Sequence, residues 1–220
     1  AQGLKGTGRG PVESATVRVM PTGRVSMYTG ALAMGQGIKT ALAQVCADEL
    51  GMPLDRIDVI SGDTRFVSLG MGGYASRQAI TAGSSTLLAA RVVREKAVKV
   101  AAQMLEVAES DLVLRDGAVC VDGVPDMAVP LASIARRLRG MPGYSFPVGV
   151  SAGLEATENF RIDSLAYASS FHAAEVEVDI ETGMVRILRY VAVQDSGKLI
   201  NPQIAEGQIH GSVIHGIGNA

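Results

Sequence analysis

The sequence has no tryptophan, few other aromatics, two cysteines, three histidines and little net charge. Each shortage removes a class of protein. Cys46 and Cys120 alone cannot build a disulfide-stapled scaffold, a four-cysteine zinc centre or an iron–sulfur cluster. Cys46 falls near the apolar side of an expected helix and Cys120 in an expected strand, so both read as small buried hydrophobes. His172, His210 and His215 do not form a metal site, because 210 and 215 miss the i, i+4 spacing that puts two ligands on one helix face. A formal charge of −2 over 220 residues leaves no basic footprint for nucleic acid or an anionic membrane. No apolar run nears the roughly 20 residues that span a bilayer, and no signal-peptide pattern opens the chain. A cytoplasmic location is expected, with the periplasm as the alternative. No Gly-x-Ser-x-Gly elbow is present and neither cysteine has an obvious basic neighbour, so nucleophilic catalysis lacks an agent.

What the chain does have is an apolar composition (47%) with 26 glycines, which suits close backbone packing and many tight turns. Residues 14–20 alternate, with Ala15, Val17 and Val19 on one face and Thr16 and Arg18 on the other, as a half-buried strand does. Pro21-Thr22-Gly23-Arg24 turns the chain into a second strand over 25–30. A helix is expected from about Gln36 to Leu50 with Ile38, Ala41, Leu42 and Val45 on one face. Gly51-Met52-Pro53 stops it. Residues 57–60 read as a third strand, completing a strand–helix–strand crossover. A long loop over 61–78 precedes an alanine-rich helix over 79–107. A hairpin around Arg115-Asp116-Gly117, a short helix after Pro130 and a glycine- and proline-rich stretch over 140–153 follow. Residues 173–180 alternate cleanly, Thr182-Gly183 turns the chain back through 184–193, and a last helix is expected over 206–217. Crossover and hairpins together predict an α+β fold with mixed sheets and packed helices.

Three glycine-lined segments lie at the ends of these elements. Met34-Gly35-Gln36-Gly37 stands between a strand-like run and a helix, where unpaired N–H groups of the helix start can meet an anion or an oxo group. The 61–78 loop carries Gly73, Tyr74, Ala75, Ser76, Arg77 and Gln78, offering bare N–H groups, a hydroxyl and a forked cation suited to a phosphate. Gly207-Gln208-Ile209-His210-Gly211 opens the third. Two readings stand for each segment. The glycines are turns, Arg77 is a surface ion pair and the last glycines serve helix packing, or all three converge on one elongated, polyanionic cofactor.

Taken in order, these motifs resemble a known family. Gly6-Thr7-Gly8-Arg9-Gly10-Pro11, Met34-Gly35-Gln36-Gly37, Ala43-Gln44-Val45, Asp48-Glu49-Leu50-Gly51, Gly62-Asp63-Thr64 and Ala75-Ser76-Arg77 are similar to the molybdopterin-binding large subunit of the xanthine dehydrogenase/aldehyde oxidase family. Asp195-Ser196-Gly197, Asn201-Pro202 and Gly207-Gln208-Ile209-His210-Gly211 continue the likeness through essentially the whole chain. The resemblance implies the second, C-terminal molybdenum-cofactor-binding domain. Its first lobe is expected at 1–140, a linker at 141–153 and a second lobe at 154–220, incomplete at its C-terminal end. It also implies a molybdenum hydroxylase that oxidises an aldehyde or an aromatic N-heterocycle with oxygen from water. The implied cofactor is molybdenum–molybdopterin in its cytosine dinucleotide form, contacted by Met34, Gly35, Gln36 and Gly37, by Gly73, Tyr74, Ala75, Ser76, Arg77 and Gln78, and by His215. Gln36 is implied to lie near an oxo ligand of the metal, where its amide N–H could polarise it.

Two departures qualify that picture. His215 stands where the family commonly has a Gln, and imidazole replaces one donor but not a two-ended amide. The family's general-base Glu is expected beyond the last residue of this chain, so no catalytic residue is assigned within it and the polypeptide alone is not expected to turn over substrate. Implied partners are the remainder of the large subunit, an iron–sulfur subunit, an FAD subunit or domain, and a small-molecule substrate. The competing expectation is a non-catalytic scaffold or assembly module that has lost the cofactor.

Overall fold

Alternating burial starts the fold. A computed structural model describes residues 1–140 and 142–219; Met141 of the expected linker and Ala220 of the expected second lobe lie outside the described residues. Strand β1 (Gln2–Thr7) comes first, then β2 (Val12–Val19), in which every second residue is buried: Glu13, Ala15, Val17 and Val19. A turn at Gly23 leads to β3 (Val25–Thr29), antiparallel to β2, with Val25, Met27 and Thr29 inward. Helix α1 (Ile38–Leu50) buries Ile38, Leu42, Cys46 and Leu50 and ends on Gly51 in the left-handed region. It returns the chain to β4 (Ile57–Ser61), parallel to β3. The expected crossover is therefore present.

Helix α2 (Gln78–Leu105) lays a stripe of small residues over this sheet: Ala82, Ala89, Ala90, Ala97 and Ala101 are fully buried. Their separations of four, seven and eight put them on one face, and the short side chains let the helix approach α1 and the strands closely. A small sheet of β5 (Leu112–Arg115), β6 (Ala118–Val121) and β7 (Val124–Pro130) extends the core with Leu112, Val119 and Val129. Helix α3 (Leu131–Arg137) closes this end with Leu131 and Ile134. The 142–153 stretch, expected as a flexible linker, is anchored: Val150 is buried and Gly153 donates to the Leu138 carbonyl at 2.8 Å. Apolar contacts outweigh its turn-rich composition.

Strand β8 (Glu155–Arg161) joins the other side of β2, giving the order β4-β3-β2-β8. Strands β9 (Ala166–Val178) and β10 (Val185–Asp195) form a hairpin, and β1 pairs with β9 in a separate sheet ordered β1-β9-β10. Helix α4 (Pro202–Gly218) follows, with Asn201 capping it by accepting the Ile204 N–H at 2.9 Å. The α+β class holds, with mixed sheets and packed helices. Four details differ from expectation. The glycine-rich opening contains β1, because a backbone ladder tolerates glycine when a neighbour supplies the pairing. β7 and β8 carry too little alternation to stand out, β9 begins seven residues early at Ala166, and α4 starts at Pro202, suited to a first helical turn.

Candidate functional site

Two loops meet at the sheet end, each running into the start of a helix. The first, residues 32–37, follows β3 and enters α1. The second, residues 61–77, follows β4 and enters α2. Neither helix start carries a side-chain cap or an acidic residue in its first turn. Their leading N–H groups and positive dipole ends are left for something else. By contrast, α4 is capped by its own Asn201.

A closed ring of amide hydrogen bonds joins the loops. The Met34 N–H donates to Gln36 Oε1 at 2.6 Å, which fixes the orientation of that amide. Gln36 Nε2 donates to the Leu32 carbonyl at 2.9 Å and to Gln78 Oε1 at 2.6 Å, and Gln78 Nε2 donates to the same carbonyl at 3.0 Å. Met34 crosses over Gly73: a Cβ there would lie 2.5 Å from the Met34 methyl and 2.7 Å from Gln78 Nε2. Gly30 and Gly70 are in backbone contact just beneath, leaving no room for a side chain on either. The two segments read separately from the sequence are one structure.

The outer surface of this junction is open. Met34 and Tyr74 are 62% and 47% exposed, and a Cβ on Gly35 or Gly72 would meet nothing within 4 Å. Gly35, Gly37 and Gly72 have φ of 94°, 75° and 77°, a region side chains rarely adopt. Ala75 and Ser76 share it, with φ of 47° and 53°, despite their Cβ atoms. Each such residue costs about 1–3 kcal/mol and persists only where its surroundings over-determine it. The Ser76 hydroxyl accepts from Lys5 Nζ at 2.9 Å, bringing an exposed ammonium from β1 to the loop.

Three expectations change here. Arg77 was to present its fork to a phosphate or pair at the surface, but it is fully buried. Its Nη1 donates to Glu13 Oε2 at 2.6 Å and to the Gly72 carbonyl at 3.1 Å. Nε donates to the Arg9 carbonyl at 2.7 Å and Nη2 to the Val12 carbonyl at 3.0 Å. Gln36 was to offer an amide N–H toward the metal, but both of its amide hydrogens are spent on Leu32 and Gln78. His215, in the last turn of α4, is exposed and is joined to neither loop by a hydrogen bond among the described residues. Roughly 16 Å of helix rise separates it from Ile204, whose side chain packs over Gly37.

Sequence reasoning passed over Glu13, Lys5 and the Leu32 carbonyl. Glu13 had a signal, since the alternation that turns Ala15, Val17 and Val19 inward turns Glu13 inward too, and a buried carboxylate requires a partner. Elsewhere in the second loop Asp63 folds its own turn. Side-chain hydrogen bonds from Arg65, then the Arg65 backbone N–H, hold its carboxyl down at about 2. Burial pushes the Cys46 thiol up to about 12, so it is inert. Two shallow charged hollows lie along α2, around Lys96 and around Arg94, and neither includes a residue of the loop junction.

Comparison with known proteins accords with this geometry. A family model described as molybdopterin cofactor-binding domain matches residues 1–220. The large subunit of nicotine 6-hydroxylase from Paenarthrobacter nicotinovorans is 40% identical over 206 residues, covering 94% of this chain and 25% of that protein. The large chain of carbon monoxide dehydrogenase from Hydrogenophaga pseudoflava is 38% identical over 95% of this chain and 26% of its own length. Among solved structures, CO dehydrogenase from Oligotropha carboxidovorans superposes with a TM-score of 0.86 at 35% identity, over 96% of this chain and 27% of that one. Quinoline 2-oxidoreductase from Pseudomonas putida 86 gives 0.80 at 38% identity, over 96% of this chain and 29% of that one. The chain spans about a quarter of the length of these relatives. With its paired helix starts, its fold and these likenesses in agreement, the chain belongs to the xanthine dehydrogenase family, as a molybdopterin cofactor-binding domain.

Proposed function

We propose that this chain forms one wall of the cofactor cleft in the large subunit of a molybdenum hydroxylase, acting on an aldehyde or an aromatic N-heterocycle. The observation that carries the reading is the hydrogen-bonded junction of two uncapped helix starts, Gln36 before α1 and Gln78 opening α2. Donor-rich, glycine-lined and open outward, it fits a pterin with an anionic tail. Main-chain N–H groups around Gly35, Gln36, Gly37 and Ile38 would hold one part, and those around Gly73, Tyr74, Ala75 and Ser76 another. Lys5 brings positive charge to Ser76, a role first expected of Arg77. Gln36 and Gln78 set the spacing of the two loops, and the exposed Met34 and Tyr74 offer apolar surface to a flat ring. Through Ile204 over Gly37, α4 starts at the same junction, so His215 remains a proposed contact for a ligand long enough to run beside the helix.

Bound there, the cofactor would supply two-electron oxidation of a substrate carbon with oxygen from water. The residues of this chain bind and orient; the proton-accepting Glu and the substrate pocket belong to the remainder of the large subunit, and iron–sulfur and FAD partners carry the electrons away. A cytosine dinucleotide is the proposed form, because the donors extend from Gly35 past Ser76 and suit a long anionic ligand. The lobes are proposed at 1–140 and 154–220, with β1 and β8 each contributed to the sheet of the opposite lobe.

The test is Gly35→Val in the full-length large subunit. The variant should fold but carry several-fold less molybdenum, because a branched side chain is strained at this φ and projects into the open face. Unchanged molybdenum in folded protein would sink the reading. Acid release of cytidine monophosphate from the wild-type protein checks the dinucleotide. A purified complex devoid of molybdenum would favour the scaffold alternative.

A further inference from the structure

We propose that Glu13 is a positioning residue for the cofactor loop, acting through Arg77 to set residues 72–77 in their binding shape before any ligand arrives. The inference rests on the reading that this loop holds the cofactor. Glu13 is far from the open surface, on the inward face of β2, and its carboxylate and the Arg77 guanidinium are both fully buried. Four of the five guanidinium hydrogens are taken: one by Glu13, and the others by carbonyls of Arg9, Val12 and Gly72. A ligand-binding arginine presents its fork. This one is enclosed, and it ties the N-terminal segment, β2 and the loop to one point.

The strain lies immediately before that point. Ala75 and Ser76 are left-handed without being glycine, and the turn they make is closed by the Arg77 N–H donating to the Tyr74 carbonyl at 3.1 Å. On the other side of the loop the Met71 N–H reaches Glu13 Oε2 at 3.4 Å. One carboxylate oxygen thus faces both ends of the strained segment. Tyr74 packs its ring 5.6 Å from the Arg77 guanidinium carbon, so the exposed aromatic is oriented from within as well.

The other oxygen, Glu13 Oε1, is buried with no hydrogen-bond partner. An ion pair with an orphaned oxygen is not the arrangement that stability alone selects, since well-packed apolar side chains serve as well or better in such places. What an apolar pair does not do is fix the direction of the loop. The pair supplies orientation rather than cohesion.

The experiment uses the full-length large subunit, prepared with and without cofactor, and two variants. Glu13→Gln keeps the shape and removes the charge. The double variant Glu13→Leu with Arg77→Met replaces the pair by apolar bulk. Hydrogen exchange in the cofactor-free protein reads the loop, and metal analysis with pterin fluorescence reads loading. Glu13→Gln should speed exchange of the 72–77 amides by roughly tenfold or more, leave those of α1 and β3 unchanged, and lower molybdenum content several-fold. The double variant leaves no lone buried charge but strips the Arg9, Val12 and Gly72 carbonyls of their donor, so it should melt below the parent while showing the fast loop exchange and the poor loading; it carries the test alone if the single variant does not accumulate. A double variant that loads like the parent would overturn the proposal, as would unchanged loop exchange in Glu13→Gln. A loosened loop with full molybdenum content would overturn it by another route, by removing this loop from the cofactor site.

Discussion

Residues 12–161 and residues 162–219 achieve order by different means. The first stretch buries Met27, Leu42, Leu50, Val93 and Val100 completely, and even its loop junction hangs from a buried ion pair. In the second, no described residue is buried, although the strands are long and regular. One face of the β1-β9-β10 sheet carries Leu4, Tyr167, Phe171 and Val193, and the other carries Val176, Val178, Val185 and Ile187, all exposed. Antiparallel sheets usually wet one face and cover the other. Here both faces carry exposed apolar side chains. The contrast teaches that the proposed cofactor wall is held by packing within this chain, whereas the hairpin and α4 hold their shape with no buried residue among those described, in a chain that spans about a quarter of its relatives.

Breaking the packed half should be costly. Arg77→Met leaves Glu13 buried and uncompensated, and should lose about 3–5 kcal/mol in denaturant titration. A loss below about 1 kcal/mol would mean that the pair is wetter than its burial implies. Ala89→Leu adds volume where α2 has none to spare and should lose about 1–3 kcal/mol by the same measurement. At the boundary, Asn201→Ala removes the only side-chain cap recorded for the described α-helices and should cost about 1 kcal/mol, seen as faster exchange in the first turn of α4.

The open half should respond least. Phe171→Ser should change the stability of this chain alone by no more than about 0.5 kcal/mol. In the assembled large subunit the same change should cost about 3–5 kcal/mol, if the face is covered there. Equal costs in the two settings would erase the distinction between the halves. The smallest effect concerns pH. Because the folded Asp63 carboxyl is held at about 2, below its ordinary 3.8, its stabilisation of the 63–67 turn is fully present above the ordinary value. It is lost as pH falls through about 2. Exchange of the Arg65 amide across that range checks the sign.

Much of the packed half was legible because its residues declare their surroundings. The alternation of β2 and the stop at Gly51 each follow from one local rule, whereas the sequence announced α2 only as an alanine-rich helix and not which of its residues are buried. The glycine loops were legible as loops, and the ordered motifs placed them in a family. What could not be read was how side chains are spent. Nothing local distinguishes an arginine offered to a ligand from one enclosed by three carbonyls and a carboxylate, because that depends on β2 and the N-terminal segment, more than 60 residues away. Gln36 was misjudged for the same reason, its partner Gln78 being 42 residues on. Strands β7 and β8 hid because their pairing, rather than their pattern, defines them.

One carbonyl deserves a different kind of attention from experimenters. Leu32 is 46% exposed, its side chain lying over Gly62, while its oxygen receives both glutamine amides. A survey that swaps side chains one by one would read at position 32 only the contact with Gly62. The group that keeps the two loops in step is invisible to such surveys, and only backbone chemistry, such as an ester in place of the 32–33 amide, would weaken that acceptor and reveal it.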